Sequence, residues 1–507
     1  MAYAYPNQRR ILVPGPQFVD PRTAIHPSGF LPTPFGVINP SFRLPVPPVE
    51  VLVPNGPPVF APVRFALNPA VLIRMDEQRT QSLLQFMAKE GLVPSPEEES
   101  KRRDAIVELK KIVVAWVKKV AWQRRLPKNQ IASTCATILT YGSYGLGVHG
   151  SESDIDALCV GPIYATMANV DILNPFFLQN IDETSWRSLS GVRANIRLLQ
   201  LVPNLENFQS MLRCIKLWAR RRGLYSHLLG FFGGIHLAIL SAHICQRHPN
   251  ASISALISIF FDTFSRWPWP SPVTLQDGSI PYRDVSDGRS FMPIMMPCSP
   301  YDWCNTNITR STFNRIRTEF NRGHNMTRDL GKPDFEWSDL FDPFPFTKRY
   351  TRFVRIFLAA PDEDELRDWL GWVKSRFRNL LQKLEEVQGY CDPNPTEYVD
   401  HEVAEPNTVF YWGLSPNRSS FTDIDSVKEE FMKSVDNGYQ GSACRLELSI
   451  VNASQLPKNA QIDWGNGNMS KAYWRISDYI QQRPPVYSQH LPYYFVGYAA
   501  AATDRSE

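Results

Sequence analysis

Two aspartates one residue apart, Asp154 and Asp156, follow a turn containing glycine and serine in the stretch 141–162, YGSYGLGVHGSESDIDALCVGP. In an extended strand the side chains at i and i+2 leave the same face, so the pair would form a ledge of two carboxylates while Ile155 and Ala157 face a core. Hard cations such as Mg²⁺ prefer oxygen donors, keep several waters, and bind through one or two carboxylates plus substrate phosphate oxygens. Gly142 and Ser143, a short loop upstream, can offer backbone N–H groups and a hydroxyl to a triphosphate. Read alone, D-x-D is a weak signal, because a surface turn produces it often. The turn upstream is what points to phosphate chemistry. A pair of this kind usually needs a third acid, and Asp171 in NVDILNPFF imitates the apolar-Asp-apolar surroundings of one.

The elements that must position these residues are legible in the pattern. SPEEESKRRDAIVELKKIVVAWVKKV starts with Ser95 as an N-cap, Pro96 in the first turn and acids behind it, then Ile106, Leu109, Val113, Val117 and Val120 at helical spacing. ASTCATILTYGS is rich in β-branched residues and runs into Gly142, which predicts a strand, or a helix-to-strand passage, entering a tight turn. NLENFQSMLRCIKLWARRR, 204–222, places Phe208, Met211, Leu212, Ile215 and Ala219 on one stripe. Its cations, Lys216 with Arg213, Arg220, Arg221 and Arg222, would by themselves be a solvated helix face. An apolar helix, GGIHLAILSAHICQ, follows. Past residue 350 the order is strand (TRFVRIFLAA), helix (DEDELRDWLGWVKSRFRNLLQKLEEV), strand (TVFYWGL), helix (DIDSVKEEFMKSV) and strand (CRLELSIVN), the layout of an RRM-like sandwich. The aromatic signature of base-stacking central strands is missing from it. Trp267 and Trp269, beside prolines, read as core wedges rather than stacking platforms, and His149 and His236 read as structural.

The 507 residues suffice for two or three cores. Eight scattered cysteines form neither C-x-x-C nor a zinc pattern, so they are expected as thiols in a reducing compartment. The net charge of +4 is too small to announce a nucleic-acid binder by itself. No apolar run reaches membrane-spanning length and the N-terminus lacks a signal-peptide layout. Fifteen of the 42 prolines lie in the first 62 residues, which predicts an irregular or polyproline-like arm.

YGSYGLGVHG and ESDIDALCVGP, then LVPNLENFQSMLRCIKLWARRRGLYS, LGFFGGIHLAIL, FSRWPWPSPV and MPIMMPCSP, resemble in this order the core of eukaryotic canonical poly(A) polymerases, from about residue 66 to about 455, and within them the short plant-type members. The resemblance implies an α+β multidomain protein: a proline-rich arm over 1–65, a polymerase β-like nucleotidyltransferase domain over 66–200, a helical middle domain over 201–345, an RRM-like RNA-binding domain over 346–455 and an irregular tail over 456–507. It implies template-independent addition of AMP from ATP to RNA 3′ ends by two-metal phosphoryl transfer. By matching motif, Asp154 and Asp156 would hold Mg²⁺ or Mn²⁺. Tyr141, Gly142, Ser143, Gly150, Lys216, Tyr225, Gly233, Gly234 and Ile235 would surround ATP, with Ile235 on the adenine. The partners implied are ATP, an RNA 3′ end and proteins of the polyadenylation machinery, with no membrane, for a monomer.

Three departures qualify this. His227 stands where the family usually has Asn, and Gly145 where it usually has a basic residue. More seriously, only IYATMA separates Pro162 from Asn169, where family members carry a helix and two strands, the last bearing the third aspartate; roughly 50 residues are absent. Asp171 is expected to be a decoy, since fifteen residues from Asp156 leave little room for a strand to return beside the pair. Losing the third carboxylate leaves the attacking hydroxyl poorly activated, and the expected loss is at least ~100-fold, about 2.7 kcal/mol of barrier. The alternatives are an inactive RNA- or partner-binding protein on the same frame, and a uridylyltransferase if His227 alters base choice. The triplets at Lys101 and Arg220 fall inside predicted helices, so no clear nuclear import signal is seen and nucleus and cytoplasm both stay open.

Overall fold

The computed structural model describes residues 69–457 apart from 152, 162–170, 175, 177–178, 180, 276–289, 300, 305–306, 329–334, 417–423 and 442–443. The proline-rich arm and nearly all of the tail therefore lie outside the described residues, as does the whole segment between Gly161 and Asp171.

Chain order begins with α1 (Pro69–Lys89) and α2 (Pro96–Gln123). Ser95 caps α2 as its pattern predicts: its Oγ accepts from the Glu98 N–H and the Glu98 carboxylate accepts from the Ser95 N–H. Strand β1 (Thr137–Tyr141) pairs antiparallel with β2 (Asp156–Val160), from Thr137 opposite Val160 to Tyr141 opposite Asp156. Helix α3 (Glu183–Leu201) packs on both strands and α2 on β1. None of the ten strand residues is fully buried. Helix α2 turns the stripe read from its sequence inward: Val117 is buried and Ile106, Leu109, Val113 and Val120 are half-buried, while the exposed Ile112 (65%) and Trp122 (69%) lie off that stripe.

The middle of the chain is a helical core. Helices α4 (Leu205–Arg221), α5 (Gly234–Arg247), α6 (Ile253–Arg266) and α7 (Arg310–Thr327) surround Trp218, whose ring stacks on Phe320 at 5.7 Å. The whole predicted stripe of α4 is buried here. Trp267 and Trp269 pack against the same core, 5.9 Å apart.

The last unit runs β3 (Arg352–Ala359), α8 (Glu363–Lys374), α9 (Phe377–Gln388), β4 (Gly389–Asp392), β5 (Asn407–Pro416), α10 (Ile424–Asp436) and β6 (Arg445–Asn452). Its sheet order is β4-β5-β3-β6, antiparallel throughout, the β-α-β-β-α-β topology of an RRM-like domain. Two details differ from the sequence pattern. The long predicted helix breaks between Lys374 and Phe377 into two, and a fourth strand follows directly, Gly389 ending α9 at φ 81°. The central strands do carry aromatics on the face turned from the helices, Phe353, Phe357 and Tyr411. Those rings are buried under Phe346, Tyr350, Tyr398 and Leu456 rather than open to a base.

Candidate active site

Lys216 projects from the middle of α4, and the turn after β1 faces it. Residues Gly142–Gly145 form a single helical turn, entered with Gly142 at φ 62°. Only glycine fits there, because a Cβ on Gly142 would lie 1.8 Å from Asp156 Oδ2. Three side chains fix the turn. Asn195 Nδ2 donates to the Gly142 carbonyl (3.0 Å), Gln209 Nε2 to Leu146 (2.9 Å) and Arg213 Nη2 to Gly147 (2.5 Å). Gly145, the position of one departure, is where a Cβ would come within 2.8 Å of Asn195 Nδ2, so any side chain there would push against the residue holding the turn.

Asp154 corrects the expectation drawn from strand spacing. The strand begins only at Asp156, and Asp154 sits in the lead-in loop before it, although both still line one cavity. Burial raises the pKa of Asp156 and the charge of Asp154 raises it further, while Lys216 opposes them. Two carboxylates thus hold negative charge close together with incomplete compensation, which suits a hard divalent cation.

Lys216 is only 6% exposed, so the solvated-face alternative fails for it. Burial first, then Arg220, pushes its pKa down to about 7, against the pull of Asp154 and Asp156. The cations around it divide by role. Arg220 lines the cavity with its guanidinium 5.3 Å from the Tyr225 ring centre, and Arg213 holds the turn. Arg221 pairs with Glu90, and Arg222 is buried against Glu319, so neither forms part of a phosphate rim.

The cavity measures about 1160 Å³, room for a nucleoside triphosphate and the end of a second chain. Tyr141, Gly142, Ser143, Asp154, Asp156, Lys216, Tyr225, Gly234 and Ile235 line it. Gly150 and Gly233 fall outside the lining: Gly150 turns the loop ahead of the acids, and the Gly233 N–H donates to His236 Nδ1 at the start of α5. His236 is structural, its Nε2 bound to the Cys304 carbonyl, and buried His149 is held by Glu99. Asp171 is exposed and away from the cavity; its Oδ1 accepts from the Leu173 N–H in a local turn. Among the described residues no group of three acids, histidines or cysteines could hold a metal. Arg102, Asn195 and Gln209 were not singled out in the sequence, where a lone Asn or Gln carries no periodic signal.

A glycine-serine turn over paired aspartates, a helix-borne lysine across the cleft, a helical middle unit and an RRM-like unit are the parts of a nucleotidyltransferase that acts on RNA. Residues 73–173 match the poly(A) polymerase nucleotidyltransferase domain, 207–343 the poly(A) polymerase central domain and 345–410 the poly(A) polymerase predicted RNA binding domain. Nuclear poly(A) polymerase 3 of Arabidopsis thaliana is 50% identical over 481 residues, covering 83% of this chain and 94% of that protein. Nuclear poly(A) polymerase 2 of the same plant is 34% identical and the poly(A) polymerase of Dictyostelium discoideum 33%; these alignments cover 75% and 72% of this chain, and 57% and 53% of those longer relatives. Among solved structures a cytoplasmic RNA terminal U-transferase aligns over 53% of this chain and 99% of its own at 13% identity, with a TM-score of 0.39, too distant to bear on substrate choice. The chain belongs to the eukaryotic poly(A) polymerase family.

Proposed function

We propose that this chain binds ATP against a divalent cation in the cleft between β2 and α4 and adds AMP to an RNA 3′ end, with the transfer step weakened in this product. The observation that carries the reading is the meeting of Asp154, Asp156, the Gly142–Ser143 turn and Lys216 in one cavity. Asp154 and Asp156 would hold the cation, Mg²⁺ by the family's chemistry, and a cation there neutralises phosphate charge as pyrophosphate leaves. Lys216 in its protonated form meets the triphosphate as a point charge. The Gly142–Ser143 turn presents N–H groups and a hydroxyl, and Ile235 and Tyr225 give the nucleoside an apolar wall. The relatives named nuclear favour the nucleus, and the RNA-binding unit favours RNA as the acceptor. No helix among the described residues is long and apolar enough to cross a membrane.

The weakening follows from the donor set. Two carboxylates fit one cation, and Asp171 is turned outward into a local turn rather than beside the pair. A two-stranded sheet with no fully buried residue, under a helix α2 whose apolar stripe is mostly only half-buried, is what removal of neighbouring strand material would leave. In addition, the 481 positions aligned with nuclear poly(A) polymerase 3 exceed the 83% of this 507-residue chain that they contain, so that relative carries residues with no counterpart here. These same observations support a second reading, a protein that binds nucleotide and RNA without transferring.

Purified protein incubated with an oligo(A) primer, Mg²⁺ and each nucleoside triphosphate in turn decides between them. Extension with ATP alone, at least ~100-fold below a complete relative, agrees with the proposal. Full-rate extension refutes the weakening, RNA binding with no extension favours the second reading, and preference for UTP refutes adenylyl transfer.

A further inference from the structure

Because β2 starts at Asp156, no ladder hydrogen bond fixes Asp154, and something else must. The end of the lead-in loop nearest Asp154 is held by Arg102 of α2. Arg102 Nη1 donates to the Ser153 carbonyl (2.5 Å), and its Nη2 donates to the carbonyls of Ser151 (2.6 Å) and Gly150 (3.2 Å). Within the loop the Ser153 N–H bonds the Gly150 carbonyl (3.1 Å) and the Gly150 N–H bonds Ser153 Oγ (2.9 Å), so the guanidinium grips a closed turn ending one residue before Asp154. One turn earlier on the same helix Glu99 holds His149 at 2.8 Å, so both ends of the loop are tied to α2. Arg102 also borders the cavity.

We propose that Arg102 is the positioning residue for Asp154: its fork on three carbonyls supplies the fixation that strand pairing gives Asp156. Lysine cannot replace it, since a single ammonium on a flexible stem does not present the planar, multi-donor fork that spans these three acceptors. The residue belongs to the basic triplet at Lys101, which in sequence looks only like solvated charge. The inference rests on the reading of Asp154 and Asp156 as cation ligands, and its test separates the two.

The full-length protein and the variants Arg102→Met and Arg102→Lys are compared in two measurements. The first is amide hydrogen exchange of 150–155 in the nucleotide-free protein. Both variants should speed exchange there by about tenfold while leaving α4 and α5 unchanged. The second is ATP affinity with Mg²⁺ and with EDTA. Both variants should raise the Mg²⁺ concentration needed for half-maximal ATP binding by about tenfold, and affinity in EDTA should stay within about twofold. Unchanged exchange, or an Arg102→Lys protein indistinguishable from the parent, overturns the proposal. So does an equal loss of ATP affinity with and without metal, which would make Arg102 a direct phosphate contact. If the parent protein shows no Mg²⁺-dependent ATP binding, the reading of the acids falls, and the exchange result alone then decides whether Arg102 fixes the loop.

Discussion

Replacing Gly142 by alanine tests the geometry of the site more sharply than removing an acid. The residue sits at φ 62°, where an L-side chain costs about 1–2 kcal/mol. The new methyl would fall 1.8 Å from Asp156 Oδ2 and 2.8 Å from its Cγ, so the carboxylate must leave its place, at a further cost of about 1 kcal/mol for a displaced rotamer. The expected total is on the order of 2–3 kcal/mol. In an Asp156→Ala background the obstructing carboxylate is gone, and Gly142→Ala should cost about 1–2 kcal/mol, the backbone part alone. Urea midpoints of the four proteins measure this cycle, and the coupling should be near 1 kcal/mol. Gly142→Ala should also lower Mg²⁺-dependent ATP affinity as far as Asp156→Ala does. Additive stabilities, or a Gly142→Ala protein that binds ATP like the parent, would refute the claim that the turn and the acid share one tightly bounded space.

Lys216, held near 7 by burial and Arg220, binds a triphosphate only when protonated, so ATP affinity should be flat just below pH 7 and fall by up to tenfold per pH unit above it; affinity independent of pH between 7 and 9 contradicts this. The same depression means the unfolded chain binds more protons than the fold between about 7 and the lysine's ordinary 10.5, so Lys216's contribution makes the fold more stable as pH rises through that window. Glu319→Gln should destabilise by about 3–5 kcal/mol in a denaturant titration, because Arg222 then loses its buried counter-charge and Arg315 is left with Asp392 alone. Burial works to raise the Glu319 pKa, but bonds from both arginines hold it below 4.5, so its contribution is present above that pH and is lost as pH falls through the lowered value. Asp171→Ala, at an exposed turn, should leave ATP affinity within about twofold and stability within about 0.5 kcal/mol, whereas a cation ligand at that position would not tolerate it.

The parts of the fold legible in sequence are those with a strong period. The α4 stripe from Phe208 to Ala219 repeats at helical spacing and is buried as read, and Ser95 with Glu98 marked the start of α2. Strand β4 escaped because four residues following a helix carry no alternation to read. Around Ser375 the apolar residues keep a helical period across the break, so the sequence predicts one helix where the structure has two. Of the site, the motif residues were found because their types announce phosphate and cation chemistry, and nine of those eleven line the cavity. Their supports were not. Asn195, Gln209 and Arg102 act on carbonyls that the sequence places 53, 63 and about 50 positions away, and only the folded backbone brings them together.

The thin pair of strands beneath the carboxylates has a thermodynamic consequence for the whole protein. One dense core runs through the helical and RRM-like units and reaches the acid-bearing region through Leu146, Val148 and Leu198, while the two strands themselves bury no residue fully, so on warming the strand pair should loosen ahead of the rest. Occupancy by nucleotide then becomes part of its folding energy: at a hundredfold excess over Kd a ligand adds about 2.7 kcal/mol to the state that binds it. In this chain, substrate concentration would set how far the strand pair stays formed.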